Sequence, residues 1–350
     1  MTALRAPNPG AVADLAAGRR ARLRRRRVVI VVLFLIVAGA LAVALMVGQT
    51  FYSPAEVIDV LAGRDVAGAS FTVGRLRLPR AVLAVVTGVC FGIGGVTFQT
   101  LLRNPLASPD IIGISSGASA AAAFAIIVLD LSGAQVSLFA IVAGIGVAMT
   151  IYLLSFRDGV VGTRLVLIGI GIAAMLDAVT AFLLEKAPQW QLQEAMRWLT
   201  GSLNGASWAD VAPVAVAAAV FGPLLASQAR GLALLRLGDD AASALGVRTE
   251  RTRLVTIAAA VGLIAFATAA AGPIAFVAFL SGPIAVRLAG PHGSPFAPSA
   301  LVGVVLVLVA DLVGQFAFDT RYPVGVITGA LGAPYLVYLI IRVNRTGGSL

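Results

Sequence analysis

Long apolar runs without a polar face recur along this chain. Residues 81–102 contain no charged side chain and no polar stripe at helical spacing. A helix of a soluble protein keeps one polar face, whereas a helix surrounded by lipid is apolar on all sides. The runs are continuous and do not alternate polar with apolar positions, which disfavours a membrane β-barrel. The pattern therefore predicts an all-α integral membrane protein.

Polar or Gly/Pro-rich breaks divide the apolar sequence into about ten transmembrane segments. These lie at about residues 28–47, 81–102, 113–129, 135–155, 165–184, 208–227, 254–271, 274–288, 299–318 and 324–341. The first is about long enough to cross a bilayer and has no small-x-small cleavage site after it, which predicts an uncleaved helix. The eighth is short and contains Pro283, which predicts a broken or half-length helix.

The basic residues give these segments an orientation. With the N-terminus in the cytoplasm, most of the 26 Lys and Arg residues fall in cytoplasmic segments, as the positive-inside rule requires. We therefore predict a basic cytoplasmic tail at 1–27, a transmembrane domain at 28–343 and a cytoplasmic tail at 344–350. The largest cytoplasmic loop lies at about 229–253. This distribution explains the net charge of +10 without a nucleic-acid partner.

A partial internal repeat adds to the topology. GGVTFQTLLRNPLA at 94–107 is similar to AGPIAFVAFLSGPIA at 271–285, which pairs segment two with segment seven. The two are five crossings apart, and an odd number of crossings inverts the second copy. The sequence thus predicts an inverted-topology repeat of segments 2–5 and 7–10, an arrangement typical of transporters.

Composition excludes several kinds of chemistry. The chain is 59% hydrophobic and 12% charged, with a mean hydropathy of +0.97. One Cys and one His cannot form a structural zinc site or a paired-His haem site. Lys186 is the only lysine and is not in a Walker A loop, so ATP would have to bind another subunit. We predict no catalytic residue, no metal site and no cofactor on this chain.

Two carboxylates lie inside apolar segments. Asp177 and Asp311 are functional candidates because an ionisable group in a membrane is costly. The alternative is that each is hydrogen-bonded to a neighbouring helix or lies near an aqueous vestibule. Neither has a second carboxylate or a His nearby in sequence, which argues against a proton relay.

Four arginines on the predicted outer side run against the positive-inside trend. Arg75, Arg77 and Arg80 precede segment two, and Arg321 precedes segment ten. They predict either headgroup contacts or docking of an acidic soluble partner, since opposed charged patches steer association.

Residues 237–247 predict a short helix in the large cytoplasmic loop. Gly238 favours a turn, Asp239 or Asp240 an N-cap, and Gly246 a C-terminal stop. Such a helix suits either the membrane surface or a protein partner. Its two consecutive acids favour the protein partner over anionic lipid.

Four stretches in their expected order make the chain similar to the FecCD family, the permease subunits of type II ABC importers for iron–siderophores, haem and cobalamin. They are RLPRAVLAVVTGVCFGIGGVTFQTLLRNPLASPDIIGISSGA, LGDDAASALGV, AAGPIAFVAFLSGPIAVRLAG and YPVGVITGALGAPYLVYLIIR. The resemblance implies ten helices, a second permease subunit, a cytoplasmic ABC ATPase dimer that carries ATP and Mg, and an extracytoplasmic substrate-binding protein.

The residues themselves and the resemblance together imply roles for particular positions. Those expected in the helix that couples to the ATPase are Leu237, Gly238, Asp239, Asp240, Ala241, Ala242, Leu245 and Gly246. Those expected to dock the binding protein are Arg75, Arg77, Arg80 and Arg321. Those expected at the gate or along the translocation path are Gly92, Gln99, Asn104, Pro105, Gly162, Thr163, Asp177, Gly272 and Pro273. Two departures from the family pattern are Gln315, where an Arg is common, and Gly282-Pro283, where a Pro-His is common.

The expected function is thus a permease subunit of an ABC importer in the bacterial cytoplasmic membrane, with both termini inside. The favoured cargo is an Fe(III)–siderophore complex, with haem and cobalamin as alternatives in the same class. A proton-driven secondary transporter that uses Asp177 and Asp311 is the rival from another class. An intramembrane enzyme is disfavoured, because no nucleophile–base constellation is evident.

Overall fold

The computed structural model describes residues 9–109, 113–155 and 163–345, and these residues form fourteen α-helices. The helices are α1 (Pro9–Met46), α2 (Pro54–Leu61), α3 (Ala69–Phe71), α4 (Leu78–Leu101), α5 (Ile114–Ile127), α6 (Ala134–Ser155), α7 (Thr163–Lys186), α8 (Gln189–Leu199), α9 (Trp208–Leu235), α10 (Asp239–Ala244), α11 (Thr249–Ala271), α12 (Val277–Ala289), α13 (Phe296–Phe316) and α14 (Val324–Arg345). A π-helical turn, Thr72–Arg77, joins α3 to α4.

The transmembrane prediction is confirmed for the described residues. Eight helices are long and apolar enough to cross a membrane, and α5 and α12 are shorter apolar helices at the third and eighth predicted segments. The half-length prediction for segment eight is therefore right, and segment three shares the property. Each short helix starts directly after a left-handed residue, Gly113 (φ 67°) before α5 and Phe276 (φ 64°) before α12.

Two helices extend further than the sequence suggested. The predicted tail 1–27 is helical from Pro9, so α1 is one continuous helix of 38 residues, about 57 Å long. Its Ala, Leu and Arg residues are strong helix formers, and they continue the helix beyond the apolar run. Likewise α9 runs to Leu235, well into the loop predicted at 229–253, because Leu232 and Leu235 bury their side chains.

Hydrogen bonds define two ends of the bundle. At the first, which we call the basic end, Arg25 donates to the carbonyls of Arg287 and Leu288, and Arg26 donates to those of His292 and Ser294. These bonds cover the end of α12 with cations, which suits the negative end of a helix dipole. Segments 47–53, 128–133, 187–207 and 317–323 lie at the opposite end. The predicted cytoplasmic loops that are described share the basic end.

In this bundle the first helix of each half of the predicted repeat packs against the other half, an arrangement we call the exchange of α4 and α11. α4 packs against α12 and α13 of the second half, and α11 packs against α5 and α6 of the first. α4 and α11 also contact each other and form the most buried part of the bundle. The sequence similarity that pairs them does not align their ends, since residue 94 lies within α4 and residue 271 ends α11. The exchange makes the two halves one packing unit.

α2 is fixed at the opposite end by a complete capping box. Ser53 accepts from the Glu56 amide, and the Glu56 carboxylate accepts from the Ser53 amide at 2.7 Å and the Ser53 hydroxyl at 2.8 Å. Ser53 is therefore the N-cap of α2, in a Ser-x-x-Glu capping box. The hydrogen bonds from the Ser53 backbone and side chain lower the pKa of Glu56.

Acidification is expected to loosen α2 through this box. Because the folded state lowers the pKa of Glu56, its contribution is present above the unfolded value of about 4.3 and is lost as the pH falls through the folded pKa. Hydrogen-exchange protection factors of α2 should therefore drop below about pH 4 in the native chain. In Glu56→Ala, which removes the titrating carboxylate, they should be low at neutral pH and change little on acidification. Equal pH dependence in both proteins would contradict the role of the box.

Candidate coupling segment, docking surface and translocation path

α10 is the short helix that the sequence places in the large loop at the basic end. Gly238 is its N-cap with φ 109°, and Asp239 and Asp240 occupy its first turn, so neither aspartate is the N-cap expected from the sequence. Acidic side chains in a first turn still favour the helix, because they face the positive end of its dipole. Gly246, with φ 84°, stops the helix as expected.

Asp239 holds α10 against the rest of the basic end. Its carboxylate accepts from Nη2 of Arg253 at 2.8 Å and from Nη2 of Arg103 at 3.1 Å. Nη2 of Arg103 also donates to the carbonyl of Leu235, the last residue of α9. The ends of α4 and α9 and the start of α11 thus meet at one carboxylate. The sequence indicated Asp239 but neither arginine, because all three residues belong to different helices or loops.

The remaining side chains of α10 and its flanks divide into a buried contact and an exposed surface. Ala242 is fully buried against the bundle, whereas Leu237 and Leu245 are 65% and 60% exposed. Asp240 and Ala241 are also exposed. Two exposed leucines beside a carboxylate form an apolar and acidic surface at the basic end. Such a surface suits a protein partner better than water or anionic lipid.

Two of the four candidate docking arginines make contacts within the chain. Arg80 forms a two-pronged ion pair with Asp311, with Nη2 to Oδ1 at 2.7 Å and Nε to Oδ2 at 3.0 Å. Arg77 donates to the carbonyls of Leu45, Met46 and Thr50. Arg77 thereby satisfies carbonyls at the end of α1 that have no intrahelical partner.

Arg75 and Arg321 are the exposed members of the set. Both lie at the opposite end, Arg75 in the π-helical turn before α4 and Arg321 in the loop before α14. A π-helical turn inside a transmembrane helix is uncommon and frequently marks a functional position. A docking surface at this end would therefore use Arg75 and Arg321 as its available cations.

Asp311 is the embedded carboxylate whose surroundings the structure explains. It is 4% exposed, and Gln315 Nε2 donates to its Oδ2 at 2.7 Å in addition to the bonds from Arg80. The hydrogen-bonded alternative raised by the sequence is thus the observed one. Gln315, one of the two departures noted in the sequence, thereby completes the hydrogen bonding of Asp311.

Asp177 is in a different environment. It is exposed in the middle of α7, between the exposed side chains of Met175 and Val179. Only 17% of the most apolar stretch of α7 is buried within this chain. A carboxylate at this depth is costly against lipid, so this face requires water or another protein surface.

The remaining candidate path residues lie at several places. Gln99 is buried and donates to the carbonyl of Phe279, and Gly92 is buried where α4 crosses α13. Asn104 accepts from the amide of Leu106 in the turn after α4. Pro105, with Gln99, lines a cavity at the basic end. These residues lie in or beside helix contacts of the inner part of the bundle.

Gly272 and Pro273 lie at the opposite end, in the loop between α11 and α12. The backbone of Gly272 (φ 71°) passes so close to the Trp198 carbonyl that a side chain would not fit. Gly162 lies outside the described residues, and Thr163 is described only as the first residue of α7. Within the described residues, no group of three or more His, Cys, Asp or Glu side chains could hold a metal ion.

Comparisons with known proteins agree with this architecture. The model of the FecCD transport family matches residues 31–342. The achromobactin transport system permease protein CbrC of Dickeya dadantii is 38% identical over 88% of this chain and 89% of its own length. The ferric enterobactin transport system permease protein FepG of Escherichia coli is 38% identical over 89% of this chain and 96% of its own.

A solved structure shares the fold. It shows an inward-facing ABC transporter assigned to the metal-chelate type, with a TM-score of 0.80 and 26% identity. The match covers 89% of this chain and 98% of the other. These similarities, together with the ten apolar helices among the described residues, identify a multi-pass membrane protein with the fold of an ABC-transporter permease.

Proposed function

Because the chain belongs to the FecCD transport family of ABC-importer permeases, we propose that it carries Fe(III)–siderophore complexes across a bacterial cytoplasmic membrane. Support for this cargo comes from CbrC and FepG, whose names specify achromobactin and ferric enterobactin and which match nearly the whole chain. The basic end is the cytoplasmic end in this proposal, consistent with its arginines. Both termini then lie inside.

ATP hydrolysis belongs to a separate cytoplasmic ATPase dimer that binds ATP and Mg. The observation that carries this part of the proposal is the exposed apolar and acidic surface of α10. Asp239 connects α10 to the end of α4 through Arg103 and to the start of α11 through Arg253. A displacement of α10 by the ATPase would thus reach the two helices at the centre of the bundle. In this proposal, movement of α4 and α11 opens the translocation path alternately to the two sides of the membrane.

The opposite end receives a substrate-binding protein. Arg75 and Arg321 are placed there as exposed cations, available to carboxylates of that protein. Arg77 and Arg80 support the same surface indirectly, by fixing the end of α1 and the position of α13. A second permease subunit, identical or related, covers the exposed face of α7 and gives Asp177 a non-lipid environment. Specificity for the cargo then resides mainly in the binding protein.

The proton-driven alternative lacks support from the geometry of Asp311. Both oxygens of its carboxylate are bonded within the chain, to Arg80 and to Gln315, so the side chain is not available as a proton carrier in this arrangement. Asp177 has no described carboxylate or histidine partner with which to relay a proton.

Charge reversal on α10 is expected to release the ATPase. The tagged chain should be purified in mild detergent from its native membrane, and all co-purifying chains should be identified. A Walker A ATPase should accompany the native chain and be lost from Asp239→Lys/Asp240→Lys. Asp240→Lys alone leaves both ion pairs of Asp239 intact, and we still expect at least about 30-fold weaker association, the scale of an interface hot spot.

Glu250→Lys is the matched control, because Glu250 is exposed at the same end and the charge change is equal. It should retain the ATPase. Reconstituted native complex should import an Fe(III)–siderophore in an ATP-dependent manner, and haem or cobalamin should not compete. If no ATPase accompanies the native chain, the importer proposal fails. If the ATPase is retained but only cobalamin or haem is imported, the proposed cargo is wrong.

A further inference from the structure

A cavity of about 500 Å³ opens at the basic end between the ends of α4, α12 and α14. Its lining has two chemically different parts. One part is cationic and consists of Arg103, Arg236 and Arg287. The other is apolar and includes Val96, Val286 and Leu339. A ligand that fills this cavity must therefore combine a negative group with apolar surface.

The positive charge of the cavity is only partly neutralised by the protein. No Asp or Glu is among its described lining residues. Arg103 pairs with Asp239, whereas Arg236 and Arg287 are exposed and form no ion pair with a described residue. Arg287 is nonetheless held in place, because Nη1 donates to the Tyr338 hydroxyl at 2.9 Å and the guanidinium lies over the Tyr338 ring. The cavity thus presents an oriented cation that lacks a counter-charge.

The depth of these groups identifies the ligand further. Arg287 lies two residues before the end of α12, and Arg103 lies two residues after the end of α4. Both lie at ends of apolar helices, where a membrane-spanning helix is expected to pass from the hydrocarbon to the headgroup region. Val96 lies five residues before the end of α4, about 7.5 Å deeper along the helix axis. Val96 therefore lies deeper than the arginines, whereas Val286 and Leu339 are next in sequence to Arg287 and Tyr338 and lie at the level of the cationic part. This arrangement suits a phospholipid that enters headgroup outward, with its phosphate at the arginines and its first methylenes against these apolar side chains.

We propose that this cavity binds an anionic phospholipid, whose phosphate contacts Arg236 and Arg287 and whose first acyl methylenes lie against Val96, Val286 and Leu339. Basic pockets between transmembrane helices on the cytoplasmic side are suited to such headgroups. A soluble anion would not require the apolar wall, and a zwitterionic lipid would place its own cation among the arginines. The proposal does not depend on the transported cargo.

This lipid would also stabilise the basic end beside α10. Arg103 contributes both to the cavity and to the carboxylate of Asp239. A negative headgroup at the cavity would reduce the repulsion among three guanidinium groups and favour the arrangement in which Arg103 bridges α4 to α10. The bound lipid therefore acts on the same element that faces the ATPase.

Titration of the full chain with phosphatidylglycerol tests the proposal. The purified protein, in uncharged detergent, should be titrated separately with phosphatidylglycerol, phosphatidylcholine and soluble glycerol phosphate, with retained lipid counted by native mass spectrometry. We expect tight retention of phosphatidylglycerol alone. Arg236→Gln/Arg287→Gln should weaken it by about 30-fold, because each arginine near a membrane surface contributes about five-fold.

Arg248→Gln/Arg251→Gln is the matched control, since both residues are exposed arginines at the same end and neither lines the cavity. It should bind phosphatidylglycerol as the native chain does. Arg236→Gln alone keeps the Arg287–Tyr338 contact and should weaken binding by about five-fold. This single variant still tests the proposal if the double variant does not fold. If the control lost as much phosphatidylglycerol binding as Arg236→Gln/Arg287→Gln, the binding would be due to general surface charge, which would overturn the proposal. Equal retention of phosphatidylcholine would do the same, and displacement by glycerol phosphate would indicate a soluble-anion site.

Discussion

Asp311→Asn is expected to destabilise the protein by about 3–5 kcal/mol, the range measured when one partner of a buried ion pair is removed. The Asp311 and Arg80 side chains are only 5% and 18% exposed, so the remaining guanidinium cannot regain full hydration. Because this pair connects α4 of the first half to α13 of the second, the loss should appear as lower global stability. Denaturant unfolding of the full chain in micelles measures it.

Two variants separate the ion pair from its surroundings. Gln315→Ala removes one donor to Asp311 but leaves both charges paired, and should cost about 1 kcal/mol. Arg80→Gln/Asp311→Asn removes both charges and should be less destabilised than the sum of the two single variants, which a double-mutant cycle quantifies. If Asp311→Asn unfolds like the native chain, or if the cycle is additive, the pair does not hold the two halves together.

Gly95→Ala should prevent the native packing of α4 against α12. A Cβ at this position would overlap the backbone carbonyl oxygen of Ala278, and a backbone atom cannot rotate away as a side-chain end can. The two helices would have to separate, which would also pull Gln99 from the Phe279 carbonyl. We expect a loss at or above the usual overpacking cost of about 1–3 kcal/mol, together with a low yield of monodisperse protein.

Gly146→Ala provides the comparison for the same chemical change. Gly146 is within α6, and a Cβ there would meet no atom within 4 Å. Because alanine is the better helix former, this variant should be neutral or slightly more stable. The unfolding midpoint should therefore fall below that of the native chain for Gly95→Ala and should be equal or higher for Gly146→Ala. Size-exclusion profiles should show a loss of monodisperse protein for Gly95→Ala alone. Equal behaviour would show that α4 and α12 tolerate a wider separation.

The sequence by itself determined the number and approximate limits of the spans. An apolar run must be long enough to cross the bilayer, and as a helix it makes its backbone hydrogen bonds within itself. Its length and its breaks can therefore be predicted without knowing which helices pack against it. The same holds for short-range chemistry. The capping of α2 by Ser53 and the stop of α10 at Gly246 depend on residues within one or two turns.

Local patterns were less reliable where the helix continued into polar sequence. The arginine-rich segment before Val28 looks like a tail because it is polar, but its residues favour a helix that has already been nucleated by the apolar run. The end of α9 was placed too early for the same reason. In both cases hydropathy identified the membrane boundary, whereas helix propensity and packing decided where the helix ended.

Only the tertiary structure decided which polar groups meet. Arg80 and Asp311 are 231 residues apart, and Arg103 and Asp239 are 136 apart. Helices that are apolar on all sides carry no periodic signal for which face turns toward which neighbour. The exchange of α4 and α11 between the halves sets those faces and brings the charges together. Through it Arg80, a predicted docking residue, becomes an internal contact. Arg77 is internal as well, because it bonds to the end of α1, whereas Arg75, Arg321, Asp177 and the surface of α10 stay exposed.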